Sequence, residues 1–160
     1  VTCGPEQTER VGALLASGCS GGEVFALCGD LGAGKTCLSR GFARGLAIDQ
    51  PIQSPTFTLC RTYTEGRLAL YHWDFYRLGD SEEAESAGFD DAVADAEGVV
   101  LVEWADKFPN LWTFPYVKIW ITTVDDESRA LAIRFPEPAF PGPAEGLMFG
   151  GGGGGGTRET

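Results

Sequence analysis

Val24-Phe25-Ala26-Leu27-Cys28, followed by Gly29-Asp30-Leu31-Gly32-Ala33-Gly34-Lys35-Thr36, is the stretch that decides the fold. Five consecutive apolar residues with glycines on either side predict a parallel strand buried on both faces. The eight residues after it match G-x-x-x-x-G-K-[ST] in full, the phosphate-binding P-loop pattern. Its glycines allow turns in which successive N–H groups face inward and cradle phosphate oxygens. A helix beginning at Lys35 adds the positive end of its dipole. Lys35 can reach the β- and γ-phosphates as a mobile ammonium. The Thr36 hydroxyl can ligate Mg²⁺, an ion that keeps most of its other positions for water and phosphate. A chance match on a turn would lack the strand before it and the helix after it.

Outward from this stretch, residues 6–17 predict a helix with Val11, Leu14 and Leu15 on a partial apolar face, ended by Gly18 to Gly22. The helix from Lys35 to Gly45 carries Leu38, Phe42 and Leu46 on one face. Ile52–Phe57 reads as a loop. Thr58–Tyr63 and Arg67–Asp74 read as strands joined at Glu65-Gly66. Glu82–Ala87 and Phe89–Glu97 read as short helices, and Val99–Val102 as a second fully apolar strand. Tyr116–Thr123 and Arg129–Phe135 alternate around Asp125-Asp126-Glu127 and predict a closing hairpin. The fold class is therefore α/β, a three-layer P-loop fold whose central, mostly parallel sheet carries added antiparallel strands and hairpins. One domain spans 1–136. Residues 137–160, rich in proline and carrying an unbroken glycine run from Gly150 to Gly156, are expected to be disordered.

A P-loop works with a carboxylate across the metal, supplied from the end of a neighbouring strand. Glu103 ends the apolar run Val99–Val102 and is the first candidate; an exposed strand-end glutamate is the bland alternative. Asp74 is the second, either to ligate Mg²⁺ or to orient an attacking water, against the reading of a surface turn aspartate. His72 lies two residues before it on the same strand face, where a structural histidine is the ordinary reading. Arg77 can pair with a phosphate, with Asp74, or in a surface salt bridge. Ser54-Pro55-Thr56-Phe57 sits where a nucleotide-sensing loop would lie, and Trp104 either covers the site or packs in a core or interface.

Bulk composition sets limits. With 43% hydrophobic and 22% charged residues, the chain matches an ordinary globular domain. Its apolar runs stop far short of the roughly 18 residues of a membrane span, and no signal-peptide pattern opens it. Five cysteines without a CxxC pair read as reduced cytosolic thiols, and the single histidine argues against zinc. A cytoplasmic location and no membrane partner are expected. The net charge of −11, with acids gathered after position 80, disfavours direct, tight RNA binding.

In order, the P-loop Gly29–Thr36, then Ser54-Pro55-Thr56-Phe57, then His72-Trp73-Asp74-Phe75-Tyr76-Arg77-Leu78, then Glu103-Trp104 resemble the TsaE (YjeE) family. This is the P-loop ATPase family of bacterial tRNA threonylcarbamoyladenosine biosynthesis. The resemblance covers about residues 5–135. It implies Mg²⁺ and ATP as cofactors and ATP hydrolysis, slow alone and dependent on partners. It implies work with TsaB and TsaD, which transfer a threonylcarbamoyl group to an adenosine beside the anticodon. The tRNA is then met only through that complex, and the chain alone is a monomer. Carried over by motif, Lys35, Asp74 and Glu103 are catalytic, and Thr36, Glu103 and Asp74 serve the metal. Asp30, Leu31, Gly32, Ala33, Gly34, Lys35, Thr36, Cys37, Thr56 and Trp104 line the nucleotide. Cys37 stands where the family usually has a second threonine.

Three rivals share the P-loop. A small-molecule kinase closes a lid over its acceptor, and no arginine-rich lid segment follows Glu103. In a GTPase switch, guanine recognition looks to need an Asn-Lys-x-Asp stretch; none occurs here, and Asp106-Lys107 lacks the pattern. A nucleotide-dependent binding module with negligible hydrolysis stays open, because hydrolysis can require groups from a partner.

Overall fold

The computed structural model describes residues 1–95 and 97–137. The tail expected to be disordered therefore lies, beyond Glu137, outside the described residues. Seven strands form one sheet: β1 (Thr2–Cys3), β2 (Val24–Cys28), β3 (Cys60–Tyr63), β4 (Ala69–Asp74), β5 (Gly98–Glu103), β6 (Val117–Thr123) and β7 (Ser128–Arg134). Their order is β1-β7-β6-β2-β5-β4-β3. The four central strands, β6, β2, β5 and β4, run parallel. The outer pairs β3–β4, β6–β7 and β1–β7 are antiparallel. The closing hairpin thus corrects its sequence reading in one respect. Its first strand is not an added edge but an inner parallel neighbour of β2, because Val117, Ile119 and Ile121 supply a buried face there. β1 was not foreseen; two residues carry no periodicity.

Helices α1 (Pro5–Ser17) and α2 (Lys35–Gly45) cover one face of the sheet. The short helices α3 (Ser81–Ser86) and α4 (Phe89–Ala94) cover the other. Strand alternation sorts the core between these layers. Phe25 and Leu27 of β2 and Val99 and Leu101 of β5 face α2. Val24, Ala26, Val100 and Val102 face the opposite layer with Trp73, Phe75 and Phe89, whose rings pack edge to face. Leu38, Phe42 and Leu46 expose nothing, and burial of each side chain contributes about 1.5–3 kcal/mol.

Of the expected apolar face of α1, Val11 and Leu15 pack against the core, but the closest contact with α2 is made elsewhere. Leu14 is half exposed, and the buried stripe is Thr8, Gly12 and Ala16, spaced by four. These small residues let the two backbones touch. A Cβ on Gly12 would lie 2.3 Å from the Leu38 carbonyl oxygen, and one on Gly41 only 1.8 Å from that of Glu9. α1 is thereby set against the helix that carries Lys35 and Thr36.

The parallel strands end on one edge. There β2 delivers the phosphate loop, β5 delivers Glu103 and β4 delivers Asp74, with Asp74 opposite Glu103 in register. Ligands of open α/β sheets bind outside the carboxyl ends of such strands.

Candidate functional site

The loop between β2 and α2 takes positive φ at Gly29, Gly32 and Gly34, and Gly34 caps α2 in the left-handed conformation. A Cβ at Gly29 would also stand 2.4 Å from the Ile121 carbonyl oxygen, so this glycine is required by space as well as by dihedral. Asp30, Leu31 and Gly32 form the exposed rim, and Ala33 is buried beneath it.

Lys35 is buried, and its Nζ donates to the Gly29 carbonyl at 2.6 Å and the Asp30 carbonyl at 2.8 Å. The same ammonium sits 3.8 Å from the centre of the Trp104 ring. Burial draws the Lys35 pKa below the ordinary lysine value, while the carboxylates of Glu103, Asp106, Asp74 and Asp30 act against that shift. Trp104 has left-handed backbone angles, φ 57° and ψ 37°. For a bulky side chain this conformation costs about 1–2 kcal/mol, and it turns the indole over Lys35 and against Tyr76, with ring centroids 4.9 Å apart.

Glu103 is 2% exposed, which excludes the exposed strand-end glutamate. Its Oε2 accepts from Thr36 Oγ1 at 2.9 Å. Its Oε1 lies 3.0 Å from Ser39 Oγ and 2.9 Å from His72 Nε2. Asp74 is 1% exposed, not a surface turn residue. Its Oδ2 accepts from Ser54 Oγ and, at 2.8 Å, from Thr56 Oγ1; its Oδ1 accepts from the Tyr76 N–H at 2.8 Å. The 54–57 loop is thus tied to the end of β4 by two hydroxyls on one carboxylate oxygen. Lys107 clips the next segment in place by donating to the Tyr76 and Leu78 carbonyls.

Thr36, Lys35, Glu103, Asp74, Thr56 and Trp104 converge at the strand ends. Two named residues turn elsewhere. Cys37 directs its thiol to the Pro5 carbonyl at 3.2 Å, joining α2 to α1. Arg77 lies over the exposed Phe57 ring, 4.1 Å from its centre, rather than in an ion pair with Asp74. Sequence reasoning passed over Ser39 and Lys107, and left His72 as structural. The available signal for Ser39 was a polar residue one turn after Lys35, on the face of α2 that meets the strand ends. Lys107 left none, since its partners are backbone carbonyls.

Thr36 Oγ1, Glu103 and Asp74 are hard oxygen donors, the chemistry that suits Mg²⁺. Among the described residues no group of three or more His, Cys, Asp or Glu side chains forms a metal cage. Among the same residues, no helix is long and apolar enough to cross a membrane.

Comparison with known proteins places the chain among relatives along most of its length. A family model described as threonylcarbamoyl adenosine biosynthesis protein TsaE matches residues 2–131. The chain is 41% identical over 131 residues to a tRNA threonylcarbamoyladenosine biosynthesis protein TsaE of Nostoc sp., covering 80% of each chain. It is 41% identical over 130 residues to the protein of that name from Bacillus subtilis, covering 81% of this chain and 80% of the relative. The fold is similar to the crystal structure of Bacillus subtilis YdiB, with a TM-score of 0.66 and 33% identity over 86% of this chain and 84% of that one.

Proposed function

The chain belongs to the TsaE family, and from that premise we propose that it binds and slowly hydrolyses Mg-ATP to support tRNA threonylcarbamoyladenosine formation with TsaB and TsaD. Members of the family are named for that biosynthesis. The observation that carries the ATP reading is the hydrogen bond from Thr36 to the buried Glu103 carboxylate, one residue past the phosphate-loop lysine. A carboxylate buried at a strand end beside a P-loop hydroxyl has little structural purpose on its own, because its desolvation is costly.

On this reading Thr36 and Glu103 hold the ion, with Asp74 beside them. Bound Mg²⁺ would neutralise charge developing on the phosphate oxygens. Lys35, now donating to the Gly29 and Asp30 carbonyls, would bind the phosphate oxygens. Its charge is already desolvated, so that binding needs little further dehydration. Trp104 covers the Lys35 ammonium on one side and packs against the half-exposed Tyr76. Thr56, which donates to Asp74, would sense the γ-phosphate, and the 54–57 and 72–77 segments would control docking to the partners, as in other γ-phosphate switches. The chain works in the cytoplasm, is a monomer alone, and meets tRNA only within the complex. A kinase reading is less supported: among the described residues the chain after Glu103 forms two 3₁₀ turns and the β6–β7 hairpin, with no lid.

The deciding experiment measures phosphate release from Mg-ATP by the chain alone and with TsaB plus TsaD. Slow release alone, a rise with the partners, and loss in Lys35→Ala are expected. Release indifferent to TsaB and TsaD would remove the partner role and direct attention to small-molecule acceptors.

A further inference from the structure

His72 is the only histidine in the chain, and none of it reaches solvent. Its Nδ1 is buried with no hydrogen-bond partner among the described residues. A buried polar atom left in that state is destabilising, and an apolar side chain of similar size would avoid the cost. The polar contact that accounts for a histidine here is Nε2 to Glu103 Oε1, at 2.9 Å. Opposite a carboxylate oxygen, Nε2 carries the hydrogen and donates.

Ser39 Oγ stands 2.9 Å from the Lys35 carbonyl and 3.0 Å from the same Glu103 oxygen. A hydroxyl has one proton and can donate to only one of them at a time. When the proton goes to the helix carbonyl, His72 is the remaining donor on Oε1 among the described residues. That bond fixes the rotation of the carboxylate and leaves Oε2 toward Thr36. We infer that His72 is a positioning residue: it holds Glu103 so that Oε2 and Thr36 Oγ1 present a preformed pair of oxygens to a divalent cation. This rests on the reading of Glu103 as the metal-side carboxylate. It follows the general behaviour of groups behind metal ligands, which orient the ligand without touching the ion.

The test uses a fluorescent ATP analogue, its binding followed with EDTA and across a Mg²⁺ titration. His72→Leu should raise the Mg²⁺ concentration for half-maximal tightening by about tenfold while leaving Mg²⁺-free affinity at the wild-type value. His72→Gln carries an amide N–H to the same oxygen and should restore most of the response. In a Glu103→Ala background, His72→Leu should add nothing. A wild-type Mg²⁺ response in His72→Leu, or a His72→Gln chain as impaired as His72→Leu, overturns the inference while leaving the Glu103 assignment standing. A wild-type chain indifferent to Mg²⁺, or a Glu103→Ala chain with an unchanged response, overturns both. Because the chain has a single histidine, ¹⁵N-histidine NMR gives a readout that needs no His72 variant. Adding Mg²⁺ to the nucleotide complex should move the Nε2 resonance in wild type and not in Glu103→Ala; an unmoved wild-type signal also overturns the inference.

Discussion

Asp74 shows how a single carboxylate organises the switch side of the site. Its Oδ2 takes hydroxyl donors from both Ser54 and Thr56, and those hydroxyls lie 3.1 Å from each other. Removing one leaves the other in place. Thr56→Val should therefore lower unfolding free energy by only about 1 kcal/mol, and Ser54→Ala by a similar amount. The double variant leaves Oδ2 buried without a side-chain donor. It should lose about 1–3 kcal/mol beyond the sum of the two singles. Urea denaturation of the three variants measures this, and strict additivity would show that the two bonds are independent. The roles at this scale were unevenly legible. Lys35 and Thr36 follow from a local motif, and Glu103 from the end of an apolar run. The contacts of Ser39 and His72 with Glu103 join residues 64 and 31 positions apart, and no local pattern announces such a pairing.

At the scale of elements, the strand–loop–helix unit β2–α2 was legible because every part of it is local. The apolar run dictates the strand, the glycines allow the turn, and Leu38, Phe42 and Leu46 recur at helical spacing. On α1, Val11 and Leu15 pack against the core as their spacing predicts, but Leu14 is half exposed and the small residues escape a periodicity reading, which large apolar residues dominate. The closest contact uses the small ones, whose value is that they permit close approach. Gly41→Ala tests this. Its Cβ would meet backbone, the Glu9 carbonyl, which cannot move aside without shifting α1. The expected loss is about 2–4 kcal/mol in urea unfolding. Gly32→Ala is the contrast. Nothing lies within 4 Å of a Cβ there, but φ is +76°, so only the left-handed strain of about 1–2 kcal/mol should appear. Equal losses in the two variants would contradict the close helix contact.

For the whole molecule, buried thiols set the alkaline limit of stability. Burial pushes Cys19 up to about 12 and Cys28 up to about 11, from 9.0. Both side chains are nearly inaccessible. Above pH 9 the unfolded chain loses these protons while the folded chain keeps them, so the unfolded state gains. The stabilisation is fully present below pH 9 and is lost as pH rises toward the folded values. Lys35 works in the opposite sense. Its folded pKa lies below 10.5, so between the two values the unfolded state binds the extra proton and stability rises with pH. Burial also raises Cys60 to about 11 and raises Cys37, so with several thiols against one lysine the unfolding free energy should fall from pH 9 to pH 10, by on the order of 1 kcal/mol for each of Cys19 and Cys28 at pH 10, and the melting temperature should fall with it. Replacing Cys19 and Cys28 together by alanine should make that decline shallower in thermal melts, the remainder coming from Cys60 and Cys37. An unchanged slope would place the alkaline loss elsewhere.

What the sequence by itself determined is the part of this protein written in contiguous residues: the buried strand, the phosphate loop, the helix that follows it, and the family that the motif order resembles. Local sterics and hydrophobic periodicity suffice for the strand, the loop and the helix; the family rests on the resemblance of the motif order alone. Only the tertiary structure decided that β6 enters the parallel core beside β2, that α1 meets α2 through its small residues, and that His72 and Ser39 hold the Glu103 carboxylate. Each depends on surfaces far apart in the chain being complementary in shape and hydrogen bonding. Such complementarity exists only once the sheet has brought them together.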